Sequence, residues 1–176
     1  SPNVRKGRSY GDLNYDWVQK SYDVSAVSFH KMLQVAEKKD ILNEWASVVA
    51  LSYIAAERSF PFYSDMSEAK AILESIARNY GLRYGKSKNV RVNTISQSPT
   101  KTTAGSGIGG FNDFFDFAAL ASPLGNASAE SCAEYIVTMF SDYTRMVTMQ
   151  NLFHDGGYST TGITQDLIDA YVANKK

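Results

Sequence analysis

The chain has 176 residues, of which 44% are hydrophobic and 20% charged, a composition typical of one globular domain with a substantial core. Eighteen Lys and Arg residues balance eighteen Asp and Glu residues, so no net charge directs the chain to nucleic acid or to an anionic membrane. The single cysteine, Cys132, excludes an intrachain disulfide framework. The sequence shows neither a signal peptide nor a run of about 18 consecutive apolar residues. We therefore expect a cytoplasmic protein without a membrane segment.

The first half of the chain predicts a helix, a strand and a second helix. Apolar residues recur at roughly helical spacing over 17–38, and the short β-branched run Ser47–Ser52 indicates a buried strand. A second helix is expected from Asp65 to Tyr84. Its first residue and Glu68 match a capping box, and Gly85 suits a C-terminal cap.

The second half predicts two more strands separated by a loop and a helix. Alternating apolar residues indicate a strand over 89–96, followed by a Gly/Ser/Thr-rich loop from Ser96 to Gly110. A third helix is expected over 129–142, opening near Ser128, and a third strand over 147–157. The alternation of strands and helices predicts an α/β domain of parallel βαβ units, with no repeat and no linker across 1–176.

The spacing of Tyr63 and Lys70 indicates a chemical site. The tyrosine lies just before the predicted second helix and the lysine more than one turn inside it. Helical side chains lean toward the helix N-terminus, so both polar groups can meet one ligand. A nearby ammonium lowers a tyrosine pKa, which favours an acid or hydrogen-bond donor. The alternative interpretation is an ordinary half-buried aromatic residue and a solvated lysine.

Three other sequence patterns give weaker indications of a functional site. The glycine run 104–111 lacks a strand that leads directly into it, so we interpret it as a loop rather than a dinucleotide fingerprint. Ser67 and Lys70 form an S-x-x-K without the S-D-N and K-T-G elements that this chemistry needs. His154 and Asp155 have no partners at metal-ligand spacing, so no metal site is predicted.

Several motifs follow one another in a recognisable order. A Tyr-x6-Lys element joins Tyr63 to Lys70, and "LSY" ends at Tyr53; "VRVNTISQSPTKTTAGSGI", "SPLGNAS" and "LFHDGG" come after it. From about Ser1 to Gly162 the chain resembles the enoyl-[acyl-carrier-protein] reductases of the short-chain dehydrogenase/reductase superfamily. The resemblance implies a Rossmann-like doubly wound parallel sheet, of which this chain would supply about three strands with flanking helices.

The resemblance implies NADH-dependent reduction of a trans-2-enoyl thioester, carried by acyl carrier protein, in fatty acid elongation. Tyr63 would donate a hydrogen bond to the thioester carbonyl, and Lys70 would hold the nicotinamide ribose. Tyr53 would stand at the position of the superfamily's catalytic serine and line the acyl pocket. The implied contacts to NADH/NAD+ are Lys70, Thr100, Lys101, Thr102, Thr103 and Ala104, and those to the substrate are Ser1, Tyr53, Tyr63, Ile108 and Phe111.

Two residues depart from related patterns. Thr100 stands after Pro99 where the family carries a hydrophobic residue, although its backbone can still meet the cofactor carboxamide. The Tyr-x3-Lys pattern of ordinary short-chain dehydrogenases would need a tyrosine at position 66, where this chain has Met66. This departure disfavours a ketoreductase.

The resemblance also implies an assembly. The helices near 16–38 and from Asp65 match the family's main subunit interface. Their apolar stripes exceed what one sheet face can cover, so we expect a homotetramer. The residues that represent these stripes are Val27, Leu33, Ile72 and Ile76.

The family chain opens with a Gly-rich dinucleotide-binding part that nothing before "SPNVRKG" supplies. We therefore expect residues 1–176 to be the C-terminal portion of a reductase, inactive alone, with Val48, Val49 and Leu51 poorly shielded. Two alternatives stay open. One is a related reductase acting on a different enoyl or carbonyl substrate, and the other is a non-catalytic oligomerising fragment.

Overall fold

The computed structural model describes residues 1–102 and 110–175 around a three-stranded parallel sheet. Strands β1 (Ser47–Ser52), β2 (Arg91–Gln97) and β3 (Asn151–His154) lie in the order β1-β2-β3. This confirms the predicted parallel α/β class. In the described ranges the helices are α1 (Pro2–Arg5), α2 (Tyr15–Tyr22), α3 (Ser28–Lys38), α4 (Asp65–Lys88), α5 (Phe111–Ala121), α6 (Ala129–Phe140) and α7 (Gln165–Ala173).

Helices cover both faces of the sheet. Ser47 and Arg91 are paired neighbours on β1 and β2; the serine hydroxyl donates to the Met139 carbonyl of α6 at 2.8 Å, and the arginine donates to carbonyls just beyond α6. The next pair, Val48 and Val92, packs into the core formed with α3 and α4. Because successive strand residues point to opposite faces, α6 and α4 lie on opposite sides. The doubly wound, Rossmann-like arrangement is confirmed.

Helix α4 starts where it was predicted to start, but neither predicted cap is present. It continues to Lys88, with Gly85 inside the helix, and Asn89 takes the left-handed position at φ 55° that closes it. Asparagine tolerates this conformation, so glycine is not required there. Asp65 is fully buried and accepts from the Ser1 hydroxyl at 2.7 Å, while Glu68 accepts from two tyrosine hydroxyls. The predicted capping box is therefore wrong.

The predicted helix over 17–38 is two helices joined by a turn of π-helix, Asp23–Val27. The apolar spacing continues through this turn because its face packs on α4. Ala26 is fully buried, and Phe29 and Leu33 of α3 join it in the core with residues of α4.

Two strands differ from their predictions. β1 is an edge strand rather than a buried one: Val48 and Val49 are half-buried and Leu51 is 49% exposed. Within the described ranges only β2 pairs with it, which agrees with the expectation that Val48, Val49 and Leu51 are poorly shielded. β3 is shorter than predicted, because Met149 with φ 62° interrupts the extended backbone before it.

Three helices were not predicted. Helix α1 lies at Pro2–Arg5, helix α5 starts directly after Gly110, where we expected the loop to end, and α7 lies in the C-terminal tail. Thr164 caps α7 by accepting from the Leu167 N–H at 3.4 Å. Across the two described ranges, no helix is both long and apolar enough to span a bilayer.

Candidate active site

The carboxyl ends of β1 and β2 border a cavity of about 390 Å³. Open parallel sheets bind ligands at this edge, because the loops that leave the strands diverge there. The structure brings most of the predicted residues to it. Those that line the cavity are Ser1, Tyr53, Tyr63, Lys70, Thr100, Thr102 and Phe111.

The remaining predicted residues are placed differently. Lys101 directs its ammonium to the Phe115 ring, 4.5 Å from the ring centroid, and is not part of the cavity wall. Thr103, Ala104 and Ile108 lie outside the described residues. The Ser1 hydroxyl donates to the Asp65 carboxylate, so this residue has a structural role in addition to its place at the cavity wall.

A local turn holds Tyr63 just before the N-terminus of α4. Its N–H donates to the Phe60 carbonyl at 3.4 Å, and its carbonyl accepts from the Met66 N–H at 3.0 Å. Burial raises the pKa of Tyr63 to about 12. Within residues 1–102 and 110–175 its hydroxyl has no hydrogen-bond partner, so the proton is free to be donated to a ligand.

Lys70 does not lower the tyrosine pKa as the spacing suggested. Its Nζ donates to the Leu51 carbonyl at 2.8 Å, at the end of β1. Burial lowers the pKa of Lys70, and the nearby Glu74 carboxylate acts in the opposite sense. Tyr63 is therefore a neutral hydrogen-bond donor over the ordinary pH range rather than a group close to ionisation.

Tyr53 brings a second phenol into the cavity wall. Its ring centroid lies 5.0 Å from that of Tyr63 and 5.5 Å from that of Phe60. Burial, assisted by Tyr158, Tyr63 and Asp155, raises the pKa of Tyr53 far above its ordinary value. Its hydroxyl is buried with no partner among the described residues. An unpaired buried hydroxyl is destabilising, so an acceptor on a bound ligand would satisfy it.

Sequence reasoning missed the aromatic wall of the cavity. Phe60 contacts Phe114 of α5 edge-to-face, with ring centroids 5.7 Å apart, and Tyr158 lies 6.4 Å from Phe60 on another side. The signal was present in the phenylalanines at 111, 114 and 115, whose spacing is helical. This wall makes the cavity mainly apolar.

The other polar groups at the ends of the strands have structural partners. His154 Nδ1 lies 2.7 Å from Gln97 Oε1, and its ring stacks on Tyr135 at 5.0 Å. Asp155 accepts from the N–H groups of Gly157 and Ser159, at 3.0 and 2.9 Å. In the described part of the chain, no three His, Cys, Asp or Glu side chains are placed to hold a metal ion.

A family model described as enoyl-(acyl carrier protein) reductase matches residues 2–159. The chain belongs to the enoyl-(acyl carrier protein) reductase family. Enoyl-[acyl-carrier-protein] reductase [NADH] FabI of Rickettsia bellii is 37% identical over 161 residues, which are 91% of this chain and 60% of that protein. Enoyl-[acyl-carrier-protein] reductase [NADH] 1 of Rhizobium meliloti is 33% identical over 155 residues, or 88% of this chain and 56% of that protein.

Solved structures of this reductase family share the fold. The FabI–NADH complex of Alistipes finegoldii is 61% identical, with a TM-score of 0.92 over 94% of this chain and 59% of that one. The NADH enoyl-[acyl-carrier-protein] reductase of Aquifex aeolicus is 29% identical, with a TM-score of 0.81 over 92% of this chain and 62% of that one. The chain thus spans about 60% of the length of the relatives it matches.

Proposed function

We propose that this chain carries the reducing site of an NADH-dependent enoyl-[acyl-carrier-protein] reductase of fatty acid elongation. The observation that carries the proposal is the convergence of Tyr53, Tyr63 and Lys70 on one mainly apolar cavity at the carboxyl ends of parallel strands. The relatives named for this activity support it. A thioester with an apolar acyl chain matches a cavity that pairs two phenols with an aromatic wall.

The residues present fit NADH/NAD+ on the nicotinamide side. Lys70 uses one of its three N–H donors on the Leu51 carbonyl, which leaves two for ribose hydroxyls. Thr100 donates its hydroxyl to the Ser98 carbonyl at 3.0 Å, which fixes this side chain at the cavity wall, where its backbone could meet a carboxamide. When bound, the cofactor supplies the hydride. Contacts at Lys101, Thr103 and Ala104 rest on the family resemblance alone.

Tyr63 and Tyr53 are suited to the charge that develops on the substrate. As the β-carbon of the enoyl group gains a hydride, electron density moves to the thioester oxygen. A phenol that stays protonated up to a pKa of about 12 can donate to that oxygen at any working pH. Because the bond strengthens as charge develops, Tyr63 stabilises the transition state more than the bound substrate.

The acyl chain would lie against the aromatic wall. Phe60, Phe111 and Phe114 line the cavity together with Tyr53, and apolar contact with these rings would hold a chain without selecting its polar groups. Ser1 and Ile108 are proposed as further substrate contacts on the strength of the family resemblance. Acyl carrier protein would present the thioester at the open side.

A cytoplasmic homotetramer remains our proposal for the assembled enzyme. Most of the apolar residues that predicted the tetramer pack within the chain itself: Leu33 is buried in the core, and Ile72 and Ile76 pack against this core. The support comes instead from other residues of the same helices and the turn between them. Val24 and Met32 are 65% and 64% exposed, and a partner subunit could cover both side chains.

The test uses the full-length protein with NADH and a trans-2-butenoyl thioester. We expect NADH consumption that depends on the thioester, and none with an acetoacetyl thioester. Consumption with the keto compound alone would instead support the related carbonyl reductase.

For the 176-residue chain alone, NADH fluorescence titration should show no tight binding. Micromolar affinity would contradict the expectation that this chain is inactive by itself.

A further inference from the structure

Two side-chain contacts tie one turn of α4 to the end of β1. Lys70 Nζ donates to the Leu51 carbonyl at 2.8 Å, and Ser52 Oγ donates to Glu74 Oε1 at 2.5 Å. Leu51 and Ser52 are neighbours on the strand, and Lys70 and Glu74 are one helical turn apart. Both contacts therefore fix the same turn to the same strand end, immediately before Tyr53.

Glu74 is an unusual residue for this place in the fold. It is 5% exposed, and strand alternation directs Ser52 toward it while Leu51 points the other way, 49% exposed. Burial raises the pKa of Glu74, and Glu57 adds to the rise, whereas the Ser52 hydrogen bond, Arg78 and Lys70 oppose it. An ionisable group that burial disfavours would be replaced at no loss by an apolar one if packing were its only role.

Glu74 lies one helical turn beyond Lys70 on α4, so the two side chains are neighbours on one face of the helix. Burial lowers the pKa of Lys70, and Glu74 is the group that opposes this loss of charge. Arg5, Tyr53 and Tyr63 share the cavity wall with Lys70, and none of them carries a negative charge at neutral pH. Within residues 1–102 and 110–175, removal of Glu74 would leave the buried ammonium with the Leu51 carbonyl as its hydrogen-bond partner.

We propose that the Ser52–Glu74 pair holds Lys70 charged and in place at the cavity wall, which makes Glu74 a positioning residue of the site. The part of this inference that concerns a cofactor rests on the proposed function. The effect of Glu74 on the charge of Lys70 does not. Two separate measurements therefore test the two parts.

The first measurement follows the reactivity of Lys70 toward trace acetic anhydride across pH, read by mass spectrometry of the full-length protein. Only the neutral amine reacts, so the curve reports the charge of this one side chain. Glu74→Gln keeps the shape and an acceptor for Ser52 but removes the charge, and we expect the Lys70 curve to move to lower pH. Glu74→Asp, which keeps the charge, should move the curve less than Glu74→Gln does.

Glu68→Gln is the matched control, since Glu68 is a carboxylate on the same helix that is bound by tyrosines and lies two residues from Lys70. Residues two apart on a helix do not face each other, so Lys70 should titrate as in the wild type. An unchanged Lys70 curve in Glu74→Gln would overturn the proposal. Equal displacement in Glu74→Gln and Glu74→Asp, or in Glu68→Gln, would do the same, because packing or net charge would then explain it.

The second measurement is NADH affinity against pH. We expect affinity to fall as Lys70 loses its proton, and this fall to begin at lower pH in Glu74→Gln, with at least a threefold weaker binding (about 0.65 kcal/mol) in the interval between the two curves. Affinity profiles that coincide would remove Glu74 from the cofactor site. If the wild-type protein binds no NADH, the proposed function fails, while the labelling curves still decide the role of Glu74.

Discussion

Tyr63 and Lys70 share one cavity, and burial moves their pKa values in opposite directions. Burial raises the pKa of Tyr63 to about 12 and lowers that of Lys70, because it disfavours the charged form of each group. The phenol is thereby kept as a donor, and the ammonium depends on its neighbours to stay charged. Each residue therefore suits the role that we propose for it: transition-state stabilisation for the tyrosine, and cofactor binding for the lysine.

Replacing Tyr63 by Phe should lower the turnover number by about 100-fold or more in the full-length enzyme while NADH affinity stays within about twofold. The phenol meets charge that exists only as the reaction proceeds, so its removal leaves the bound state almost unaffected. Steady-state kinetics and a fluorescence titration check the two halves. An unchanged turnover number, with the chemical step shown to be slow, would remove Tyr63 from this role.

Replacing Lys70 by Met should weaken NADH binding by about 1.5–3 kcal/mol, the usual size of charge-assisted hydrogen bonds. The matched control is Lys86→Met, on the exposed side of the same helix, which should bind NADH as the wild type does. Isothermal calorimetry measures both. Equal affinities for Lys70→Met and the wild type would exclude the lysine from the cofactor contact.

At the scale of elements, close backbone approaches fix how the loops meet the sheet. Gly156 follows β3 with φ 64°, and a Cβ atom there would lie 2.1 Å from the Gly125 carbonyl oxygen. Gly81 similarly lets α4 approach Met149, whose side chain would lie 2.5 Å from an added Cβ. The first contact is with backbone that cannot move aside easily, and the second is with a flexible side chain. The two glycines therefore differ in how strictly they are required.

Gly156→Ala should lower the free energy of unfolding by about 3 kcal/mol or more, because left-handed strain adds to the backbone clash. Gly162→Ala is the control, since nothing lies within 4 Å of its added Cβ. It should change stability by no more than about 0.5 kcal/mol. Urea unfolding of the two variants decides the point, and equal stabilities would contradict the description of the β3 turn.

The elements differ in how far local sequence determines them. The parallel strands and α4 follow from alternation, period and composition, and all were predicted. The end of α4 was not, because Asn89 rather than Gly85 takes the left-handed position. The start of the third strand was predicted too early, because nothing in the local sequence indicates the positive φ of Met149.

The candidate site was predicted through motif order, and its energetics were not. The spacing of Tyr63 and Lys70 correctly placed both at one cavity. It could not show that Lys70 turns to the Leu51 carbonyl, because that partner comes from a strand 19 residues earlier in the chain. The Phe60–Phe114 contact joins segments brought together only by the fold, so the aromatic wall was missed for the same reason.

For the whole molecule, two surfaces favour association. β1 has an edge that no described strand pairs, with Leu51 49% exposed, and Val24 and Met32 are exposed on the α2–α3 side. Unpaired strand edges and exposed apolar side chains both favour association. These surfaces agree with a chain that spans about 60% of its relatives' length and with our proposal of a tetramer.

The full-length protein should therefore remain a tetramer at micromolar concentration when followed by multi-angle light scattering. Changing Val24 and Met32 to Ser should shift it toward smaller species, because each loses apolar area that a neighbour would cover. Gln34→Ser, at another exposed position of α3, serves as a control and should leave the mass unchanged. A lasting monomer of the wild type would contradict the proposed assembly.

We propose that this cavity directs a hydride from NADH to an enoyl β-carbon. Its most direct test supplies the full-length protein with NADH deuterated at the transferable position and a trans-2-butenoyl thioester, and locates the label by NMR and mass spectrometry. We expect one deuterium at the β-carbon of the saturated product, and this transfer should be almost lost in Tyr63→Phe. Recovery of the enoyl thioester without deuterium, or of a saturated product without deuterium at its β-carbon, would contradict it.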